Sequence, residues 1–430
     1  MADTLLNRFV RYVRINTQSD GGTGTSPSTP DQWVLLRMLE SELIELGAAD
    51  VTLTEDGYVL ASVPATSDKK GVPTVAFLAH VDTAPDYAGQ NVKPIVHRKW
   101  NGKPIVLPDD PTQVLDPQVH PDLLTARGKD LVTASGRTLL GGDDKAGVAI
   151  VMSLAAHLLK HPEIRHGPVR ICFNPDEEIG SGVDRLDLDQ LGANVAYTLD
   201  GENPGEVVWE TFSADTAVIT VEGVSTHPGD AKKYGMVNAL QLAARLLVAL
   251  PRENLSPETT DGREGYIHPS RLDGRVDRAT IQLLLRDYEL EGLADKAARL
   301  QGLCQGLQAA EPRARVTCEI RPSYRNMAYW LKKDMTPVHL AYEAMRAIGL
   351  EPSSPAARGG TDGSRLTASG LPTPNLFAGY HNPHGPLEWA TVQEMELALG
   401  ACVELAKLWE QKGAGYKGRP TKKRRASNHK

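Results

Sequence analysis

At 430 residues the chain exceeds the roughly 250 to 300 residues at which a single hydrophobic core stops growing, so at least two domains are expected. Hydrophobic residues at 41% and charged residues at 23% exclude a disordered or membrane chain, and no apolar run approaches the roughly 20 residues of a membrane span. The net charge of −7 is uneven: residues 417–430 carry seven Lys or Arg and no acid, which leaves −14 on the rest.

The opening stretch MADTLLNRFVRYV sets Leu5, Phe9, Tyr12 and Val13 on one helical face and lacks the apolar core and cleavage site of a secretory signal, so a cytoplasmic location is expected. Residues 30–47 repeat Leu36, Leu39, Leu43 and Leu46 at helical spacing and stop at Gly47, which predicts a surface helix. Strand-like runs follow at VTLT, YVLASV and TVAFLAH, then a helix over 145–160, then strands at PVRICF and VAYTLD. Strands alternating with helices predict an α/β domain with a mixed, mainly parallel sheet and helices on both faces. Ligands in such sheets sit beyond the carboxyl ends of the strands.

From about Ser213 the pattern changes to AVITVEGV, a helix over 237–250, ATIQLLLRDYEL, a helix over 290–310 and RARVTCEIR, two βαβ-like passages that would make a compact α+β insert. The first pattern resumes after Arg325 with a helix over 337–349, the loop RGGTDGS, a strand at PNLFAG and a helix over 391–411. The expected organisation is therefore a first domain over 1–212 and 326–412, an insert over 213–325, and a basic disordered tail over 413–430. The tail's charge would suit a nucleic acid or an anionic membrane. One short cluster on an acidic body reads better as a solvated extension, and neither partner is expected. Cys172, Cys304, Cys318 and Cys402 form no C-x-x-C pair, so reduced thiols are expected rather than disulfides or a cysteine zinc site.

Several acids and histidines fall at or just after predicted strand ends. LAHVDTAP puts His80 and Asp82 two apart, on one face of a strand. LLGGDDKAG places Asp143 and Asp144 where a helix begins, and taken alone they would pass for a cap. NPDEEIGSG is stronger, because Glu177 and Glu178 directly follow an apolar strand, where paired charges are costly unless a cation or proton compensates them. Asp200 closes VAYTLDG, and GYHNPHGPLEW presents His381 and His384 in a Gly and Pro loop. Imidazole and carboxylate without thiolate suit zinc, manganese or cobalt. Two divalent ions sharing one carboxylate would neutralise such a cluster and yield a hydroxide near neutral pH.

With these residues in place, the chain resembles the peptidase T family, the tripeptide aminopeptidase branch of a clan of two-zinc peptidases that includes aminoacylases and glutamate carboxypeptidases. The likeness runs through NTQSD, PSTPDQW, AHVDTAPD, TLLGGDDKAG, PDEEIGSG, YTLDGE, THPGDAKKYGMVNAL, EGYIHPSRLDGRVDRA, RGGTDGSRL, LPTPNLFAG and HNPHGPLEW. It implies hydrolysis of the N-terminal residue from short peptides with a free N-terminus. A dipeptidase or deacylase of the same clan is the alternative. It implies two zinc ions, with manganese or cobalt as substitutes, one held by His80, Asp143 and Asp200 and the other by Asp143, Glu178 and His384. Asp82 would orient His80, and Glu177 would be the general base. The insert would be a lid and dimerisation domain whose His227 stabilises the oxyanion. Arg286, Arg358 and Asn375 would bind substrate.

Overall fold

A computed structural model describes residues 3–419. They form two compact units, one of residues 3–209, 330–355 and 361–419, the other of residues 210–329 and 356–360. The short return at 356–360 was not expected. It arises because Phe212 N–H donates to the carbonyls of Ala357 and Gly359, while the Arg358 guanidinium lies over the Phe212 and Tyr266 rings at 5.3 and 5.7 Å.

The first unit is built on seven strands, in the order Ala49–Leu53, Val59–Val63, Val169–Asn174, Val75–His80, Val195–Leu199, Asn375–Leu376, Val207–Val208. The middle four are mutually parallel and the outer pairings are antiparallel. Alternation along the central strand decides the two faces. Val75, Phe77 and Ala79 join a core with the helices Leu5–Tyr12, Gln32–Glu45, Gly142–Lys160, Thr336–Ala347 and Val392–Lys412. Ala76 and Leu78 point the other way, into a smaller layer with Cys172, Leu191, Leu366 and Leu371. The amphipathic N-terminal stretch becomes Leu5–Tyr12, with Leu5, Phe9, Tyr12 and Val13 buried and the Thr4 hydroxyl accepting from Asn7 N–H at 3.2 Å. A separate antiparallel sheet, Tyr380–His381, Trp389–Thr391, Leu131–Thr133 and Ile95–His97, carries the loop 382–388.

The second unit has four antiparallel strands in the order Tyr266–Gly274, Arg278–Asp287, Ser213–Glu222, Arg315–Tyr324. Ala217, Ile219, Val221, Ile281, Leu283 and Leu285 pack under Ala239–Ala249 and Leu290–Ala310. Only the second expected βαβ passage is present, in split form, with Ser213–Glu222 lying between Arg278–Asp287 and Arg315–Tyr324. The strands of the first pair directly and antiparallel, because the chain inserts Tyr266–Gly274, a strand not expected, before Arg278–Asp287.

The expected disordered tail starts too early. Gly415 N–H donates to Gly71 O, Tyr416 packs its ring on Trp409 at 4.8 Å, and Arg419 bonds Asn194 and Asp189. The rest of that expectation, residues 420–430, lies outside the described residues. All four cysteines are free thiols. No described helix is long and apolar enough to cross a membrane.

Candidate metal centre and catalytic site

Parallel pairing brings the C-terminal ends of neighbouring strands level, and that is what assembles the cluster. His80 closes Val75–His80 in register with Asn174, Glu177 and Glu178 lie in the turn after Val169–Asn174, and Asp200 follows Val195–Leu199. Asp143 comes from the first turn of Gly142–Lys160, where Asp143 and Asp144 leave helical φ and ψ. His384, with φ of 65°, comes from the loop 382–388.

Two donor sets result. His80, Asp143 and Asp200 each offer one ligand atom, as do Asp143, Glu178 and His384, with the atoms of each set within 4.8 Å of one another. Asp143 belongs to both: its Oδ1 lies 3.1 Å from His80 Nε2 and its Oδ2 3.4 Å from His384 Nε2. His80 Nε2 is 3.6 Å from Asp200 Oδ1, and His384 Nε2 is 3.1 Å from Glu178 Oε2. Each histidine turns its other nitrogen to a further carboxylate, His80 Nδ1 to Asp82 Oδ1 at 3.2 Å and His384 Nδ1 to Asp86 Oδ2 at 3.3 Å. Such partners set the tautomer and orientation of a metal-binding ring. Asp82 also accepts the Glu177 and Glu178 backbone N–H groups at 3.0 and 3.2 Å, so one carboxylate orients a histidine and the Glu turn together.

Burial and mutual repulsion set the proton affinities of the cluster. Burial, then the charge of Asp143, pushes Glu178 up to about 8. Burial, then Asp200 and Asp362, raises Glu177 well above the usual carboxylate range. Burial alone would raise Asp143, yet the hydrogen bonds to His384 and His80 hold it low, and those to Asp143 and Glu178 push His384 to about 11. Raised proton affinity in Glu177, Glu178 and both imidazoles reflects the excess of negative charge in the cluster. Glu178 Oε1 is buried without a hydrogen-bond partner among the described residues, an atom a cation would satisfy. The nitrogen and oxygen donors fit a pair of divalent cations.

Three neighbours of the cluster escaped sequence reasoning. Glu388 is buried and accepts three backbone N–H groups, from Leu140 at 2.7 Å, Gly141 at 2.8 Å and Asp143 at 3.0 Å. Tyr380 donates its hydroxyl to Asp200 Oδ1 at 2.8 Å. Asp86 stood in the quoted AHVDTAPD, where a second Asp four residues after Asp82 was the available signal.

The other expected residues have these surroundings. Asn375 is buried and its amide is committed to the strand end: Oδ1 accepts from Asp200 N–H at 3.1 Å and the Thr198 hydroxyl at 2.8 Å, and Nδ2 donates to Asp200 O at 2.7 Å. These bonds tie it to the backbone of Asp200. Arg358 directs its fork at one loop of the second unit, donating to the carbonyls of Gly262 and Glu264 and to Thr260. Arg286 differs: its Nε and Nη1 are buried and unpartnered among the described residues, as is the hydroxyl of Tyr324, over whose ring the guanidinium lies at 4.9 Å. His227, exposed in the second unit, accepts Gly229 N–H at Nδ1, which leaves the proton of the neutral ring on Nε2. His381 stacks on Trp389 at 3.9 Å and meets Glu394 at 2.8 Å, anchoring the loop that carries His384.

A profile of peptidase family M20/M25/M40 matches residues 139–408. Peptidase T of Geobacillus thermodenitrificans is 44% identical over 416 residues, covering 96% of this chain and 100% of that protein. A solved structure of a tripeptidase from Staphylococcus aureus shares the fold with a TM-score of 0.74 at 21% identity, covering 95% of this chain and 98% of that one. An aminopeptidase PepT structure from Bacillus cereus superposes with a TM-score of 0.71 at 22% identity and the same coverage. From the matched profile and the full-length identity together, the chain belongs to peptidase family M20/M25/M40 and stands among its peptidase T members.

Proposed function

We propose that this chain is a two-zinc aminopeptidase that removes the N-terminal residue from tripeptides or similar short peptides. The observation that carries the reading is Asp143 shared between two donor sets, with Glu177 next to a member of one set but outside both. Relatives described as peptidase T, tripeptidase and aminopeptidase support the substrate class.

His80, Asp143 and Asp200 would hold one ion and Asp143, Glu178 and His384 the other. When bound, the pair would polarise the scissile carbonyl and acidify a water for attack. The remaining work falls to the chain. Glu177 accepts the proton of the attacking water on its carboxylate and returns it to the leaving amine nitrogen. A raised affinity for protons, from burial and neighbouring acids, suits a group that must hold one between the two transfers. Asp82 keeps His80 in the tautomer that presents Nε2 to the centre. His227, with its proton on Nε2, is proposed as the donor to the developing oxyanion, and Arg286 as the carboxylate-binding residue. The expected homodimer is likewise a proposal, tested by solution mass from light scattering.

The test of the function is a peptide panel with free and blocked termini, assayed before and after chelation and with zinc, manganese or cobalt restored. Cleavage confined to free amino termini and dependent on metal is expected. Equal cleavage of free and acetylated tripeptides would overturn the aminopeptidase reading in favour of a deacylase or dipeptidase.

A further inference from the structure

Asp176, immediately before the two glutamates, has no task in the reaction above, yet it is among the most constrained residues of the first unit. Its side chain is fully buried. Its carboxylate accepts the Ser28 N–H at 2.9 and 3.0 Å, the Ser28 hydroxyl at 2.5 Å and Gln32 Nε2 at 2.8 Å. Both donors belong to the PSTPDQW segment, well over a hundred residues earlier, a motif for which the reaction finds no use. The backbone of Asp176 is left-handed, with φ of 60°, a conformation uncommon for residues other than glycine and one that Asp tolerates better than most.

That backbone angle decides where the next side chain goes. After Asp176 the chain turns tightly, with Ser181 N–H on Asp176 O at 3.0 Å and Gly180 N–H on Glu177 O at 2.6 Å. On the far side, Asp82 takes the N–H groups of Glu177 and Glu178. Glu177 is thus fixed by a carboxylate on each side, and in an ordinary β or αR conformation at 176 its side chain would leave along a different direction. A glycine would reach the same φ without strain but would lack the tie to Ser28 and Gln32.

We propose that Asp176, held by Ser28 and Gln32, is a positioning residue that aims the Glu177 carboxylate. The inference rests on the reading of Glu177 as general base and is tested by a double-mutant cycle. Ser28→Ala and Asp176→Asn are each made in the natural chain and in Glu177→Gln, with kcat, KM and zinc content measured on the full-length protein. In the natural chain each is expected to lower kcat by about 10- to 10²-fold, the scale of misplacing a catalytic group, with KM and zinc content unchanged. In the Glu177→Gln background the same changes should cost almost nothing, because the group they aim is already gone. Equal losses in both backgrounds, or loss of zinc, would overturn the clamp and leave Glu177 as base intact. Full turnover of Glu177→Gln itself would overturn both. Ser28→Ala keeps the Asp176 carboxylate and serves should Asp176→Asn fail to fold.

Discussion

Glu388 and Asp143 lie 245 residues apart in sequence, yet Glu388 Oε1 accepts the Asp143 backbone N–H at 3.0 Å. Its Oε2 takes the two preceding N–H groups that matter, of Leu140 and Gly141. The loop that carries His384 therefore also grips the turn that carries Asp143. Glu388→Gln would set an amide N–H against one of those backbone donors and loosen Asp143. We expect metal affinity to fall at both sites, by about 10- to 100-fold, as for other groups that orient ligands. Calorimetric zinc titration showing loss at one site alone would contradict the shared role.

Chelation should abolish hydrolysis, and restoring zinc, manganese or cobalt should recover it. Among single replacements of the five donors, Asp143→Ala should reduce occupancy most, because only Asp143 serves both sets. Metal analysis of the purified variant checks this, and one ion fully retained would exclude the bridging role.

Glu177→Gln should keep both metals and the fold while losing about 10² to 10⁴ in turnover, the usual contribution of general acid and base catalysis. Zinc content and activity are measured on the same sample. Parallel loss of both would make Glu177 a ligand instead.

The metal-free protein should lose stability as pH rises from about 4.5 to 7. Burial pushes Glu388 and Asp362 each up to about 7, and burial with Asp143 pushes Glu178 to about 8, all above their unfolded values. The folded state therefore binds more protons than the unfolded state across this window, and stability declines as they are released. His384, held at about 11, acts in the same direction at higher pH. Lys145, drawn down to about 7 by burial, has the opposite sign and loses stability as pH falls through that value. Thermal melts of chelated protein should show a falling Tm over the window, shallower with zinc present. A rising Tm would refute the assignment of buried, proton-holding acids.

Arg286 and Arg358 should part company under mutation. Arg286→Ala is expected to raise KM for peptides with a free carboxylate by roughly 10- to 100-fold, the equivalent of a charge-assisted hydrogen bond worth about 1.5 to 3 kcal/mol, and to matter little for amidated peptides. Arg358→Ala should instead lower Tm with KM nearly unchanged, because its donors hold the carbonyls of residues 260–264. The reverse pattern would exchange their roles.

Much of the site was legible along the chain. His80, Asp200 and the Glu177–Glu178 pair advertise themselves because each is a polar or acidic residue placed where an apolar strand ends, and the cost of burying charge there is a local property. That both faces of the sheet are covered is likewise written in the unbroken apolar run from Val75 to Ala79. What only the tertiary structure decided is pairing across distance. Whether an edge strand runs parallel or antiparallel, and whether the amide of Asn375 or the fork of Arg358 is free or already spent, depends on partners from remote segments. So does the task of Asp176 or Glu388, whose neighbours in sequence carry no trace of Ser28 or Asp143. A hydrogen bond is satisfied within about 3 Å regardless of the length of chain between its partners, so its residues signal their need for a partner but not which partner folding will bring.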